Sequence, residues 1–323
     1  MAGEARINDY SPVLSIVIVN YNGTEDTLGC LASIYQYPAQ VSFEVICVDN
    51  CSEKPFLPQA QAAFPQVRFY QSPQRQGFSK NYNLGVHQAR GEYILILNND
   101  TVVHPGALDA MLGALQSNPA YGMVGPRLLQ KDGRIQTVCV RLLYTPIYYV
   151  LILFLFDLGL PTGKLWDQYQ RRRLNRRASG PVPCISGACM LVSRAALERV
   201  GLLDEGYDFY YEDIEWCHRF QKEGYQVAYI AEAHITHLGD QSLSKVKEWA
   251  KQSEYRSALR YFRQYHHLSK AGAWGLWLAT VSGFCFRAVL FSLVELIPNK
   301  TTHAQAYRNL TRWIFKHPPG NEN

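Results

Sequence analysis

The stretch "EYILILNNDT", residues 92–101, decides the predicted fold. Residues 93–97 are all apolar, and Asn98, Asn99 and Asp100 follow them directly. A short apolar run without polar alternation is typical of a strand that is covered on both faces of a parallel sheet. Because Asn and Asp favour turns, one interpretation of the polar residues is a simple turn. The other is that the strand presents polar groups to a ligand.

Earlier segments repeat this pattern. The β-rich runs at 14–19, 43–48 and 67–70 alternate with segments of helical length and composition at 24–36, 55–64 and 79–89. Thr24 and Ser79 stand where the N-caps of two of these helices would lie. Alternating strands and helices predict an α/β fold with a mostly parallel, open, Rossmann-like sheet flanked by helices.

Polar residues also follow the first two strands. Tyr21 and Asn22 come after the first strand, and Asp49 ends the second. Ligands of open α/β sheets bind beyond the carboxyl ends of the strands. Three strand ends with similar chemistry favour a ligand site over a set of unrelated turns.

The bulk composition narrows the classes of protein. The chain has 323 residues, 47% of them hydrophobic, and a net charge of +5, which does not indicate a nucleic-acid partner. The eight cysteines include no Cys-x-x-Cys pair, so neither a zinc site nor a redox pair is indicated. The first dozen residues lack the apolar core of a secretory signal, and a cytosolic setting is expected.

Glycine-rich phosphate loops do not occur in the sequence. Neither G-x-G-x-x-G after the first strand nor G-x-x-x-x-G-K-[ST] is present, which argues against a dinucleotide dehydrogenase and a P-loop enzyme. A bound nucleotide would then need another source of positive charge. Mg²⁺ is often held by one or two carboxylates plus substrate phosphates, and Asp100 could supply one of them.

Two further motifs carry candidate chemistry. In "DFYYEDIEWCHR" (208–219), Glu212 and Asp213 stand at a predicted helix start, where acidic residues are favoured by the macrodipole or where one could act as a general base. In "HITHLGDQS" (234–242), His237 is either structural or a ligand for a metal such as manganese.

Five motifs occur in one order over about residues 12–242, and together they carry a family resemblance. They are "SIVIVNYNG", "VICVDNCS", "QGFSKNYNLGVHQARGEYILILNNDT", "ISGACMLVSRAALERVGLLDEGYDFYYEDIEWCHRFQKEGYQVAYI" and "HITHLGDQS". The chain resembles family-2 inverting glycosyltransferases of the GT-A fold, and in particular rhamnosyltransferase-like members. The resemblance implies transfer of a sugar from a nucleoside diphosphate, with inversion and with a divalent metal, Mn²⁺ or Mg²⁺.

The resemblance also implies roles for individual residues. The nucleotide-binding positions are Tyr21, Asn22, Asp49, Gly77, Phe78, Asn83, Asn98 and Asn99. Asp100, with His237, would hold the metal, and Asp213 beside Glu212 would be the catalytic base. Ser186, Gly187 and Ala188 would line the acceptor cleft. Two amides, Asn98 and Asn99, replace acids of the family's D-x-D motif, which implies weaker metal affinity.

Apolar and basic segments predict contact with a membrane. The segment 142–177 is apolar and then rich in arginine, which fits either a buried helix or a segment at a lipid surface. The segment 245–265 has the pattern of a basic amphipathic helix, and 271–298 is apolar with Arg287 its only basic residue. The last segment fits either one span or a helix in the membrane plane.

The sequence therefore predicts two regions and one activity. Residues 1–242 would form the catalytic GT-A domain, with an insertion at 142–177, and residues 243–323 a helical, membrane-contacting region. The expected reaction moves rhamnose or a similar sugar from a dTDP- or UDP-sugar to a glycan or lipid-linked acceptor during assembly of cell-surface polysaccharide. The expected location is the cytoplasmic face of the inner membrane, as a peripheral protein or through a single C-terminal anchor.

Two other classes stay open at this point. A sugar-nucleotide pyrophosphorylase would show a glycine-rich loop with Arg and Lys near the first strand, and "VNYNGTEDT" lacks it. A non-catalytic membrane-associated partner would retain the sheet without transfer activity.

Overall fold

The structure is a computed structural model that describes residues 11–53, 56–151, 153–154, 174, 176–239, 248–295 and 303–319. Most of the predicted basic cluster at 171–177, and the segment 240–247 that includes Val246, lie outside these ranges.

Eleven strands lie in the described part of the chain. They are β1 (Leu14–Asn20), β2 (Phe43–Asp49), β3 (Arg68–Gln71), β4 (Tyr93–Asn98), β5 (Thr101–Val103), β6 (Tyr121–Leu129), β7 (Val140–Arg141), β8 (Gly180–Pro181), β9 (Cys184–Ile185), β10 (Cys189–Ser193) and β11 (Gln226–His237). The four strands predicted from the apolar runs are confirmed to within one residue at each end.

Ten α-helices accompany them within the same described residues. They are α1 (Thr24–Gln36), α2 (Leu57–Ala63), α3 (Phe78–Gln88), α4 (Ala107–Ser117), α5 (Pro146–Leu151), α6 (Arg194–Val200), α7 (Glu212–Lys222), α8 (Glu248–Tyr265), α9 (Lys270–Val294) and α10 (Ala304–Phe315). The predicted helix at 24–36 is confirmed, and the helix predicted at 79–89 begins and ends one residue earlier.

The main sheet has the order β3-β2-β1-β4-β10-β6-β11-β5, and β8 pairs with β11. The strands β3, β2, β1 and β4 are mutually parallel, whereas β10 runs antiparallel between β4 and β6. Parallel pairing brings the carboxyl ends of β1, β2 and β4 to one edge. Asn20 is level with Asp49, and Val19 is level with Asn98.

The sheet is covered on both faces, as its apolar strands require. Along β1, Val17 packs in the core that includes α3 and α7, whereas Ile16 and Ile18 pack in the opposite core with α1 and α4. The first of these cores continues into α8, α9 and α10, through residues such as Phe262 and Tyr307. The C-terminal helices therefore share a core with the sheet.

The two predicted N-caps are wrong. α1 is preceded by Gly23 and α3 by Gly77. Asn20 Oδ1 accepts a hydrogen bond from the Gly23 amide at 3.2 Å, so a strand residue serves the helix start. Ser79 is used elsewhere, since its hydroxyl donates to the carbonyl of Tyr207 at 3.2 Å.

Among the described helices, α9 alone is long and apolar enough to cross a membrane. A third of its most apolar part is buried against the rest of the protein.

Candidate active site

Asp49 lies at the centre of a polar network at the carboxyl end of β2. Its Oδ1 accepts hydrogen bonds from Asn20 Nδ2 at 2.7 Å and from the Ser52 hydroxyl at 2.6 Å. Its Oδ2 accepts from the Ser52 amide and from Gln71 Nε2, both at 3.1 Å. Four donors therefore fix a buried carboxylate in one orientation at the carboxyl edge of the sheet, and we call the region beyond this edge the cleft.

Tyr21 and Asn22 lie next to this network. The Arg75 guanidinium stacks over the ring of Tyr21, 4.5 Å from its centroid. Asn22 adopts a left-handed φ of 54°, and its amide donates to the Ser52 hydroxyl at 3.0 Å. The ring, the guanidinium and the Asp49 network form a planar and polar end of the cleft, of the kind that can hold a base.

Gly77 and Phe78 form the start of α3 and contact the loop before α7. The Phe78 amide donates to the Asp208 carbonyl at 3.0 Å. A Cβ at position 77 would lie 2.8 Å from that carbonyl oxygen, so only glycine permits this approach. Phe78 packs on Tyr82, with their ring centroids 4.4 Å apart.

Asn83 is not brought to the cleft with the other predicted nucleotide ligands. It is buried, and its Nδ2 donates to the Leu203 carbonyl at 2.9 Å and to Glu205 Oε1 at 3.1 Å. Asn83 lies on the α3 face that meets the loop after α6, so it anchors that loop.

Asn98 and Asn99 are oriented by neighbouring hydroxyl groups. Tyr82 donates to Asn98 Oδ1 at 3.1 Å, and Asn99 Nδ2 donates to the Thr27 hydroxyl at 2.9 Å. The Thr27 hydroxyl in turn donates to Asn20 Oδ1 at 2.8 Å. This chain of hydrogen bonds links the end of β4 to the end of β1 and, through Asn20, to the carboxylate at the end of β2.

Asp100 and His237 face each other across the next strand pair. Asp100 Oδ1 lies 3.4 Å from His237 Nε2, with side-chain exposures of 29% and 17%. The pairing of β11 with β5 explains this, because it places His237 level with Thr101. The Leu238 amide also donates to the Asp100 carbonyl at 2.8 Å.

Gln136 sets the orientation of the His237 ring. Gln136 Nε2 donates to the His237 carbonyl at 2.7 Å, so Gln136 Oε1 is the acceptor that faces His237 Nδ1 at 3.1 Å. That arrangement places a proton on Nδ1 and turns Nε2 towards Asp100. Histidines that bind metals use the same arrangement, in which a second residue fixes the tautomer.

The residues near Asp100 fit a sparse cation site. Burial, and then the charge of Asp100, raise the pKa of Asp26 above its ordinary value. Among the described residues no group of three or more His, Cys, Asp or Glu side chains is arranged to hold a metal ion. One carboxylate and one imidazole still fit Mn²⁺ or Mg²⁺, because such ions can complete their shell with substrate phosphates and water.

Asp213 is held at the start of α7 by three groups. Its Oδ2 accepts from the Gly187 amide at 2.8 Å and forms an ion pair with Arg141, and its Oδ1 accepts from the Ile214 amide at 2.8 Å. Both side chains of the ion pair are largely buried. The carboxylate is therefore fixed in position before any substrate arrives.

Glu212 has a different environment from its neighbour. Burial, and then the charge of Asp213, raise the pKa of Glu212 to about 8. Its Oε2 has no hydrogen-bond partner among the described residues. Tyr210 and Tyr211, which precede it, both adopt left-handed φ angles, of 64° and 68°. Such strain at bulky residues concentrates at functional sites.

The segment 186–188 joins the two halves of the cleft. The Gly187 amide binds Asp213, and the Ala188 carbonyl accepts from the Asn98 amide at 2.9 Å. A Cβ at position 187 would lie 3.2 Å from Asp213 Cβ, so a larger residue would press on that side chain. Ser186 belongs to the same turn, where its hydroxyl accepts from the Ala188 amide at 3.3 Å.

The cleft also includes residues that the sequence reasoning missed. Gln136 comes from the loop before β7 and Arg141 from β7 itself, and no motif marks either of them. Thr27 and Arg75 stand near recognised motifs. Because both residues follow strand ends within a few positions, the sequence could have marked them as candidate residues of the cleft.

The sequence model of glycosyl transferase family 2 matches residues 15–201, which is more than half of the 323 residues. The chain belongs to glycosyl transferase family 2. This glycosyltransferase is similar to N-acetylglucosaminyl-diphospho-decaprenol L-rhamnosyltransferase of Mycobacterium tuberculosis, with 27% identity over 242 residues that cover 70% of this chain and 76% of the relative. It is also similar to a low-salt glycan biosynthesis hexosyltransferase of Haloferax volcanii, with 27% identity over 218 residues, 66% of this chain and 63% of the relative.

Two solved structures share the fold of this glycosyltransferase. A mannosyltransferase from Pyrobaculum calidifontis in complex with GDP-Man and Mn²⁺ aligns with a TM-score of 0.55 at 16% identity, over 95% of this chain and 85% of that one. GalNAc-T7 with UDP, GalNAc and Mn²⁺ aligns with a TM-score of 0.55 at 13% identity, over 96% and 57%. The predicted GT-A fold is confirmed.

Proposed function

We propose that this glycosyltransferase moves rhamnose or a similar sugar from a dTDP- or UDP-sugar to a hydroxyl of a glycan or lipid-linked acceptor, with inversion, during assembly of cell-surface polysaccharide. The observation that carries the proposal is the hydrogen-bonded path from Asp213 through Gly187 and Ala188 to Asn98. It supports one cleft that contains a fixed carboxylate, the β4 end and the Asp100–His237 pair.

The donor nucleotide would occupy the end of the cleft around Asp49. There the base would stack against Tyr21 and Arg75. An N–H group of the base would replace one of the present hydrogen-bond donors to Asp49, such as Asn20 Nδ2. Asn22, Gly77 and Phe78 would bound the ribose side. The amides of Asn98 and Asn99 would face the ribose, while Asn83 would support the adjoining loop.

Asp100 and His237 would hold Mn²⁺ or Mg²⁺ next to the donor diphosphate. When bound, such an ion supplies positive charge that stabilises the departing diphosphate. The donor set supports this proposal because the Nε2 lone pair and the carboxylate converge, and Gln136 fixes the tautomer that allows it.

Asp213 would act as the general base in a single displacement. The acceptor oxygen forms a bond to the anomeric carbon while the bond from that carbon to the diphosphate oxygen breaks on the opposite face. The hydroxyl proton passes to Asp213, and the electron pair of the broken bond leaves with the diphosphate. Attack from the opposite face inverts the anomeric centre.

A lipid-linked acceptor would explain a location at a membrane surface. The name of the mycobacterial relative specifies a diphospho-decaprenol acceptor, and the apolar helix α9 supports contact with a bilayer. Because nucleotide sugars are made in the cytosol, we place this protein on the cytoplasmic face of the inner membrane.

A panel of nucleotide sugars tests the proposal. The full chain is screened with dTDP- and UDP-sugars, with and without Mn²⁺, for a rise in Tm and then for transfer to a polyprenyl diphosphate N-acetylglucosamine acceptor. A donor that binds the native state raises Tm by mass action, and we expect the same donor to support transfer. Binding of a donor without transfer to any glycan or lipid-linked acceptor would favour a non-catalytic partner.

A further inference from the structure

We propose that α9 lies flat on a lipid bilayer, with one apolar face inserted at the level of the headgroups and upper acyl chains and the opposite face packed on the protein. The inference rests on the proposed location at a membrane and names the surface that makes the contact. It does not depend on which sugar or acceptor is used.

One face of α9 is committed to protein contacts. Its buried residues are Ala273, Leu276, Thr280, Val281, Gly283, Phe284, Arg287 and Ala288. Trp277 Nε1 donates to the Ile314 carbonyl of α10 at 3.0 Å. A Cβ at position 283 would lie 3.2 Å from Leu153 Cβ, which shows how closely the chain after α5 approaches.

Arg287, the basic residue in the middle of α9, faces the protein rather than the solvent. It is 1% exposed, and its guanidinium lies 5.6 Å from the ring centroid of Tyr307 on α10. Glu254 of α8 lines the same small cavity. A transmembrane orientation would move this arginine into hydrocarbon and remove its contacts with α10, and both changes are unfavourable.

The other face of α9 is exposed and carries no charge. Its large side chains, which are between 46% and 61% exposed, are Trp274, Leu278, Phe286, Val289 and Leu293. At roughly 100° per residue these positions fall within a stripe about 120° wide. The remaining exposed positions between 271 and 293 are Ala271, Gly275 and Ser282. A helix face turned to water normally carries charged residues, so this face is built for an apolar partner.

The neighbouring helix α10 extends the apolar surface. Phe315 of α10 is 57% exposed. Phe315 lies 6.0 Å from Trp277, which in turn lies 5.4 Å from Trp274, by ring centroids. The surface is therefore wider than one helix, and we call it the docking face.

The chemistry at one end of the docking face indicates lipid as the occupant. Exposed Trp274 and Phe315 lie at that end; the exposed Lys270 stands four residues before Trp274, and the exposed Lys316 directly follows Phe315. Indole rings and lysine ammonium groups favour the headgroup region, where an apolar body and a polar tip are both satisfied. Amphipathic helices with this composition lie in the plane of the interface.

Vesicle sedimentation with the full chain tests the docking face. Vesicles of phosphatidylcholine, with and without phosphatidylglycerol, are mixed with the wild type and with a Leu278→Glu, Val289→Glu double variant. We expect the double variant to lose about 10-fold or more in vesicle binding while keeping its Tm, since both side chains are exposed in the free protein. The matched control is Val138→Glu, because Val138 is 45% exposed but lies outside the docking face.

The outcomes are distinct. Equal vesicle binding by the wild type and the double variant overturns the proposal, as does a wild type that binds neither kind of vesicle. A wild-type dimer that the double variant converts to a monomer would assign the face to a second copy of the chain. A negative result in vesicle binding would overturn the docking face alone, because the proposed sugar transfer is measured in a separate assay.

A depth measurement separates a flat helix from a spanning one. Spin labels are placed by Leu278→Cys and Leu293→Cys in a background where Cys51 and Cys285, the cysteines that are not buried, are replaced by serine. A flat helix places both labels at the same depth in the bilayer. A spanning helix would separate them by ~22 Å along the membrane normal, and that result would overturn the proposal.

Discussion

Gln136 illustrates at the scale of single residues how much of the cleft depends on groups outside the recognised motifs. It binds both the carbonyl and the Nδ1 of His237, and it therefore decides which ring nitrogen is free. We predict that Gln136→Leu weakens Mn²⁺ binding in the presence of a donor nucleotide by about 10-fold or more. Isothermal titration measures this, and Gln136→Glu, which keeps an acceptor for Nδ1, should retain more affinity. Unchanged Mn²⁺ affinity in Gln136→Leu would remove the residue from this role.

The ion pair between Arg141 and Asp213 gives a second prediction. Arg141→Met leaves a buried carboxylate without its partner, which should destabilise the protein by about 3 kcal/mol. The double variant Arg141→Met, Asp213→Asn removes both charges and should recover most of that loss. Urea unfolding of the four proteins gives the coupling free energy. Additive losses in the double variant would mean that the two side chains do not depend on each other.

Glu212 makes stability depend on pH. Its pKa is raised from an ordinary value of 4.5 to about 8, mainly by burial and then by the charge of Asp213, with Arg141 opposing. The native state therefore retains a proton that the unfolded chain releases, so the free energy of unfolding falls as pH rises from 4.5 to about 8. We expect Glu212→Gln to remove up to about 4 kcal/mol of this fall. Unfolding curves across that pH range check it, and parallel profiles for the two proteins would contradict it.

At the scale of elements, the start of α3 shows a tight approach that only glycine allows. Gly77→Ala would bring a Cβ to 2.8 Å from the Asp208 carbonyl oxygen and 2.9 Å from the Asp208 Cα. Because both are backbone atoms, the backbone of the loop would have to move. We expect a loss of about 1–3 kcal/mol in stability and slower transfer, because the loop from 208 leads into Asp213.

A matched glycine on another helix provides the control for that substitution. A Cβ at Gly113, inside α4, would meet no atom within 4 Å, so Gly113→Ala should raise stability by up to about 1 kcal/mol. Chemical denaturation of both variants measures the two changes in the free energy of unfolding. Equal effects at the two positions would show that the contact with Asp208 does not constrain the loop.

The elements also show what could be predicted from the sequence. The strands β1, β2 and β4 were predictable because their apolar runs need cover on both faces, and the polar residues at their ends followed. The N-caps were not predictable, because Gly23 and Gly77 hold those positions and Asn20, at the end of β1, accepts from the Gly23 amide. The contacts of Asn83 could not be predicted either, because α3 buries it against the loop at 203–205.

At the scale of the whole molecule, the cleft brings together residues that are far apart in the chain. Asp49, Asp100 and His237 reach one edge through strand pairing, and Asp213 joins them through Gly187. Strand pairing could be anticipated from the family resemblance. The contributions of Arg141 and Gln136 could not be anticipated, because the sequence near residue 140 has no periodic pattern that would place this part of the chain beside the cleft.

The C-terminal helices belong to the same body. α8 binds the loop before α7 directly, since the hydroxyls of Ser253 and Ser257 donate to the Phe209 carbonyl at 3.0 Å and 3.2 Å. α8, which shares a hydrophobic core with α9, therefore touches the loop that leads into the proposed base. This continuity supports an acceptor that reaches the cleft from the lipid surface.

The most direct measurement of the central claim is single-turnover sugar transfer by Asp213→Asn, with donor binding followed in parallel by thermal shift. The substitution keeps the size of the side chain and removes its basicity, so we expect transfer to fall by about 10²-fold or more while donor binding is nearly unchanged. Transfer by Asp213→Asn within a few-fold of the wild-type rate would contradict the account, because another group would then be accepting the proton.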